Sequence, residues 1–158
     1  MMKTIENYTY KINENIGKGF SSTVHKGVND KNGHPVSIKV IEMVKLEDPI
    51  NQMLLQHEIM ALKALSSSPH ILHLYDVYAT KNNTYIITEL CDGDLGSVLK
   101  KRKSIPYPEA VEILEQIIKG YIEISKSGYL HRDIKPANIF YRGSSYKIGD
   151  FGFAIPRQ

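Results

Sequence analysis

From Tyr8 to about Val44, apolar and polar positions alternate in short runs rich in β-branched and aromatic residues, the period of half-buried strands. Asn32-Gly33 lies between two of these runs and predicts a hairpin whose two turn residues take positive φ. The earlier break, `IGKGFSSTV`, predicts a second hairpin, so three antiparallel strands come first. The period then changes. Asp48-Pro49 supplies a capping oxygen followed by a residue whose missing N–H costs nothing at a helix start. Ile50, Leu54, Glu58, Leu62 and Leu65 fall on one helical stripe, which places a carboxylate on a buried face. Two further strands, `ILHLYDVY` and `TYIITEL`, complete a five-stranded unit with one helix. `CDGDLG` interrupts the pattern. A long helix is predicted from Pro108 to Lys126, with Val111, Leu114, Ile117, Ile118, Tyr121 and Ile122 as its apolar stripe and Gly128 ending it. The pattern predicts an α+β protein: a β-rich region over 8–90, a short linker near 90–94, and a helical region within 91–158.

Composition narrows the class without naming a function. A chain of 158 residues, 42% hydrophobic and 23% charged, has the makings of one ordinary globular domain rather than a disordered segment. A net charge of +3 is too small to imply a nucleic-acid partner without a concentrated patch. The one basic run, `KKRK` at 100–103, fits the solvated end of a helix better than a localisation signal. Cys91 is the only cysteine, which excludes an intramolecular disulfide and a cysteine-based zinc cluster. No apolar stretch has the length of a signal peptide or a membrane span, and the expected location is cytosolic or nuclear.

The chemistry lies in a few motifs. The glycines of `GKGFSS` sit between two strands. A dinucleotide-binding glycine motif should lead from strand to helix, and a Walker loop needs G-x-x-x-x-G-K-[ST], so both are excluded. A glycine hairpin can instead lie over a triphosphate, because Gly17 and Gly19 have no side chains to hold their N–H groups away from the oxygens. Lys39 ends `VSIK`, where alternation puts Ser37, Lys39 and Ile41 on one face of the strand. It can reach a phosphate if that face is the one meeting the glycine hairpin, and Glu58 is the natural anionic partner for its ammonium. In `HRDIKPANIF`, Asp133 and Asn138 are five apart in a segment that Pro136 keeps from being a regular helix. An aspartate there can take a proton from a hydroxyl, and an asparagine carbonyl is a hard ligand suited to Mg²⁺. Asp150 in `KIGDFG` supplies a carboxylate for the same metal, and Gly152 permits a sharp turn after it. Each of these residues alone is more simply an ordinary turn residue. Their occurrence together, in one order and each on the element its chemistry requires, is not explained that way.

In this order the motifs resemble those of a eukaryotic protein kinase, and `HRDIKPAN` resembles the serine/threonine branch; the similarity runs from about Tyr8 to Phe153. The resemblance implies a nucleotide site formed by Ile16, Gly17, Gly19, Val24, Ser37, Lys39, Glu58, Thr88, Glu89, Cys91 and Phe140. Lys39 would hold the α and β phosphates and pair with Glu58, while Thr88 would be the gatekeeper and the backbones of Glu89 and Cys91 would bond the adenine. Asp133 would be the catalytic base, Lys135 would neutralise the transferred phosphate, and Asn138 and Asp150 would hold Mg²⁺. Leu62, Leu74, His131 and Phe151 would stack as a spine.

Three positions depart from the family pattern: Ser22 replaces its third glycine, Ser37 its alanine over the adenine, and Phe140 the leucine beneath it. Kinases of this kind continue past `DFG` through an activation loop and several helices, whereas this sequence ends at Gln158, six residues after Gly152. The implied function is ATP- and Mg²⁺-dependent phosphoryl transfer to protein serine or threonine in a complete parent chain. The alternative is a truncated module that binds nucleotide or a partner without transferring phosphate, its uncovered apolar helix stripe inviting a partner protein.

Overall fold

The computed structural model describes all 158 residues and divides them into two compact units, Met1–Gln52 with Leu74–Leu90 and Met53–His73 with Cys91–Gln158. Residues 53–73 lie inside the 8–90 range read from the sequence, but they group with the second unit. No helix is long and apolar enough to cross a membrane.

The first unit is an antiparallel sheet. Its strands are β1 (Met2–Ile5), β2 (Tyr8–Lys11), β3 (Gly17–Lys18), β4 (Ser22–Asn29), β5 (Pro35–Glu42), β6 (Leu74–Ala79) and β7 (Asn83–Glu89). They run in the order β1-β2-β4-β5-β7-β6, with β3 paired to β4. Seven strands stand where the pattern predicted five. One addition is β1, a short strand folded onto β2 through a turn at Glu6, whose φ is 50°. The other arises because the first predicted strand breaks after Lys11. The carbonyls of Lys11 and Glu14 turn toward Nδ1 of buried His25, at 3.1 and 2.7 Å, instead of continuing a ladder. The hairpin at Asn32-Gly33 forms, but not as a two-residue turn. Gly33 alone has positive φ, at 73°, and the loop closes through Gly33 N–H to Asn29 O at 2.8 Å and Asn29 N–H to His34 O at 2.9 Å.

One face of this sheet carries the core: Tyr8, Tyr10, Val36, Ile38, Val40, Tyr85 and Ile87. Each fully buried side chain of this size contributes about 1.5–3 kcal/mol. The Tyr8 hydroxyl on β2 donates to Asp76 on the edge strand β6 although three strands, β4, β5 and β7, separate them along the sheet path, so the sheet curls around this core to bring them together. Lys3 on β1 adds its ammonium 5.5 Å from the centre of the Tyr85 ring.

In the second unit, α1 (Pro49–Leu65) contributes its later turns, where Glu58, Leu62 and Leu65 of the predicted stripe are buried together with Ala61, whereas Ile50 in the first turn is exposed and Leu54 half-buried. The helix begins as expected, Asp48 Oδ1 accepting from Ile50 N–H at 2.8 Å. The unit continues with β8 (Gly93–Asp94), α2 (Leu95–Arg102), α3 (Tyr107–Lys126), β9 (Tyr129–Leu130), β10 (Ile139–Arg142), β11 (Ser145–Ile148) and β12 (Ile155–Pro156). β10 pairs with both β11 and β8, and β12 pairs with β9. α2 ends on the basic run read from the sequence as a helix end, though its start was not placed there; Asp94 caps it, accepting from Ser97 N–H at 2.9 Å. The stripe read from the sequence is left largely uncovered on α3, as expected, and the buried side of the helix is a different one. Ile113, Gly120 and Ile124 are buried, while Leu114, Ile118, Tyr121 and Ile122 are exposed. The helix is apolar on two sides, and periodicity does not choose between them.

Burial, reinforced by Asp76, pushes the Tyr8 phenol well above its ordinary value, and burial with help from Tyr85 pushes Tyr10 up to about 12. A raised folded-state pKa gives stability that is intact below the unfolded value and lost as pH rises through the folded one. Stability should therefore fall from about pH 10 to about pH 12, and Tyr10→Phe should flatten that slope in urea titrations. Tyr8→Phe, which leaves the Asp76 carboxylate without its phenol donor, should cost about 1–3 kcal/mol at neutral pH by the same measurement.

Candidate active site

Strand register settles the face on which Lys39 lies. Gly17 pairs with Val24, Val24 with Lys39, Lys39 with Ile86, and Ile86 with Val77. Directly opposed residues of antiparallel strands share a face, so these five form one row across the sheet. Lys26, Ser37, Thr88 and Leu74 form the neighbouring row on the same face. Lys39 and Ser37 are half-buried there, opposite the apolar core of Val36, Ile38 and Val40. The glycine hairpin and the lysine therefore meet the condition set by the sequence. Ile86 and Val77, which share the row of Lys39, were not anticipated, because alternation assigns a face within a strand but not which strand lies beside which.

The hairpin itself is closed by Gly19 N–H to Ser22 O at 2.7 Å, and Ile16 N–H bonds Val24 O at 2.8 Å. Ser22, the residue that replaces a glycine, thus holds the tip by its backbone. Ile16 and Gly19 are exposed, whereas Thr88 and Glu89 at the end of β7 are buried. Glu58 and Cys91 belong to the second unit; Glu58 is only 6% exposed, a burial that a carboxylate tolerates only with partners. Leu62 and Leu74 are buried, as the spine positions require.

The second unit brings the remaining site residues together through hydrogen bonds. Asn138 is buried on a short 3₁₀ turn, Pro136–Asn138, and its amide nitrogen donates to Asp133 O and to Asp133 Oδ2, both at 2.8 Å. Committing the nitrogen to Asp133 leaves Asn138 Oδ1 as the atom able to act as a hard oxygen ligand. Lys135 Nζ lies 3.6 Å from the other carboxylate oxygen, Asp133 Oδ1. His131, 1% exposed, connects this loop to the aspartate that follows β11. Its Nδ1 accepts from Asp133 N–H at 3.1 Å, so Nε2 carries the proton and donates to Gly149 O at 2.8 Å. Gly149 N–H in turn bonds Asn138 O at 2.9 Å, which sets Asp150 beside the asparagine. The Phe151 ring, fully buried, meets His131 edge-on at 4.9 Å between centroids.

Asp150 is exposed, with φ 53°, and its Oδ1 accepts from Gly152 N–H at 3.2 Å. Arg132 also has positive φ, 64°, and donates from Nε to Phe153 O at 2.8 Å. Strained backbone at two non-glycine residues of one small region is a recurrent property of functional sites. No group of three or more His, Cys, Asp or Glu side chains could enclose a metal. One carboxylate and one amide oxygen suit Mg²⁺, which keeps several waters and binds through few protein ligands alongside phosphate oxygens.

Phe140 is accommodated by a residue the sequence did not single out. A Cβ on Gly149 would lie 2.6 Å from two carbons of the Phe140 ring. Glycine there lets an aromatic ring occupy the place of a smaller side chain. Gly149→Ala should therefore cost about 1–3 kcal/mol by overpacking, and adding Phe140→Leu should recover most of the loss in denaturant unfolding. A double variant no more stable than Gly149→Ala would show that the clash lies elsewhere.

The protein kinase domain model matches residues 10–157. A probable serine/threonine-protein kinase KCC4 of Saccharomyces cerevisiae is 34% identical over 158 residues, covering 92% of this chain and 15% of the relative. The serine/threonine-protein kinase atg1 of Dictyostelium discoideum is 33% identical, covering 92% of this chain and 23% of its own. Cyclin-dependent kinase D-1 of Arabidopsis thaliana is 35% identical, with 92% and 36% covered. The chain thus spans well under half of the length of these curated relatives. With the family match covering nearly all of its residues, and with the order of motifs and the partial α+β fold agreeing, the chain belongs to the protein kinase domain family.

Proposed function

We propose that this chain carries the nucleotide- and phosphate-handling part of an enzyme that transfers the γ-phosphoryl group of ATP to serine or threonine hydroxyls of proteins. The observation that carries this reading is the Asp133–Asn138–Gly149 network. A buried amide holds Asp133 at both its backbone carbonyl and its carboxylate, one bond to each, and that amide's own backbone is tied to the residue preceding Asp150. Names of relatives containing serine/threonine kinase support the acceptor class.

In this mechanism the row Gly17, Val24 and Lys39 offers open backbone, an apolar wall and an ammonium to the adenosine and its phosphates. Ser37 and Thr88, in the next row, border the base, with the backbone of Glu89 as a hydrogen-bond partner and Ile16 at its edge. Glu58, Cys91 and Phe140 are carried by the second unit. Mg²⁺, when bound, neutralises the triphosphate as charge develops on it. Asn138 and Asp150 would hold it through oxygen, while Asp133 accepts the proton of the attacking hydroxyl at an oriented carboxylate. Lys135, beside Asp133, faces the transferred group with its positive charge. His131 keeps Asp133 and Asp150 in one arrangement and touches neither substrate. A cytosolic or nuclear setting fits this chemistry and the single free cysteine.

A second reading, nucleotide or partner binding without transfer, is supported by the exposed apolar side of α3, formed by Leu114, Ile118, Tyr121 and Ile122. Two measurements separate the readings. Mg·ATP at a hundredfold excess over its dissociation constant should stabilise the fold by about 2.7 kcal/mol in thermal-shift titration, an effect lost in Lys39→Met. Phosphate transfer to a serine-containing protein should fall by about 10²–10⁴-fold in Asp133→Asn while the thermal shift persists. A shift without any transfer in the parent chain favours the second reading, and transfer undiminished in Asp133→Asn removes the first.

A further inference from the structure

The basic run Lys100-Lys101-Arg102-Lys103 takes no part in the site described above. Its first three residues close α2, where cations are favoured beside the free carbonyls. Lys103 then turns the chain with φ 61°, Ser104 N–H bonds Arg102 O at 2.7 Å, and an irregular segment leads through Pro106 into α3. Ser104 and all four cations are exposed. An accessible hydroxyl in irregular backbone, directly preceded by four positive charges, is suited to a phosphotransferase whose peptide groove is lined by carboxylates.

Other serines near basic residues lack that combination. Ser145 follows Arg142 by three residues, but it is half-buried in β11 and paired across the hairpin with Arg142 itself. Ser127 follows Lys126, but its hydroxyl donates to Ile124 O at 2.7 Å. Beside Ser104, Arg102 grips the Glu109 carboxylate with both terminal nitrogens, at 2.5 and 2.8 Å. This bond joins the end of α2 to the first turn of α3 across the serine.

We propose that Ser104 is a phosphoacceptor for a separate, basic-directed serine/threonine kinase, and that the phosphate formed takes the Arg102 guanidinium from Glu109. In the transfer, Ser104 Oγ bonds to the γ-phosphorus of ATP and the bond from that phosphorus to the bridging oxygen breaks. ADP leaves with the electron pair, and the hydroxyl proton passes to the base of the acting kinase. The product carries about −1.5 to −2 charge and three acceptor oxygens, against the single charge of Glu109. It sits two residues from Arg102 in the chain, directly after Lys103. Because another kinase performs the step, the proposal stands apart from this chain's own activity.

The test uses the full chain with Asp133→Asn, so that incorporated phosphate reports the added enzyme. A purified kinase with an acidic peptide groove and Mg·ATP is applied to the native fold, and phosphopeptides are mapped. Ser104 should be the dominant site, and Lys100, Lys101 and Lys103 replaced together by Ala, with Arg102 retained, should slow its labelling by about tenfold, equivalent to about 1.4 kcal/mol. In the unfolded chain, where β11 no longer holds it, Ser145 should be labelled faster than in the native fold while Ser104 remains the preferred site. Ser104 unlabelled in the native fold, labelling no faster there than at Ser145, or a rate indifferent to the three lysines would overturn the assignment of the acceptor. For the exchange, the Arg102 bond holds the Glu109 carboxyl below its ordinary range. Its titration, followed by carboxyl-carbon NMR, should move up on phosphorylation, and an unchanged midpoint overturns the transfer of Arg102.

Discussion

His131 joins two loops, the one holding Asp133 and Asn138 and the turn holding Asp150. One ring nitrogen accepts from the Asp133 N–H and the other donates to the Gly149 carbonyl, inside a pocket closed edge-on by Phe151. The bond to Gly149 is buried and that from Asp133 partly so, and His131 itself is buried, so losing either partner would leave a polar ring nitrogen unsatisfied inside the protein. The loop holding Asp133 and Asn138 and the turn holding Asp150 are thereby fixed relative to one another. The Gly149 N–H to Asn138 O bond closes the same ring of contacts from the other side. The imidazole holds the backbone beside both carboxylates with one donor and one acceptor.

The first unit reaches a similar result by division of faces. Its curled sheet puts tyrosines and branched aliphatics on the inside, and the Tyr8 to Asp76 bond draws strands β2 and β6 together around them. The other face is left for Gly17, Val24, Ser37, Lys39 and Thr88. A lysine is tolerable in β5 because strand alternation puts it opposite the core, and it is positioned because Val24 and Ile86 flank it in register.

Departures from the family pattern are absorbed locally. Ser22 closes the glycine hairpin through a backbone bond that any residue could accept, and Phe140 is admitted by the absence of a side chain at Gly149. The stripe on α3 is a different case. Its buried side is short and built around Ile113, Gly120 and Ile124, while a second apolar side faces outward.

The sequence by itself determined the alternation of the first strands, the buried carboxylate of α1, the helix bounds near Tyr107–Lys126 and the ordered motifs that mark the family. All of these depend on local period, capping or residue chemistry, which are written along the chain. It did not determine the extra strand β1, the break after Lys11, or which side of α3 is buried. Nor did it show that Gly149 makes room for Phe140, or that Ile86 stands beside Lys39. Those outcomes turn on which segments meet: His25 capturing carbonyls fourteen and eleven residues away, a ring lying against a backbone nine positions on, strands choosing a register. Contacts between residues distant in sequence are fixed by packing and by the need to satisfy buried polar groups, and only the tertiary structure decides them.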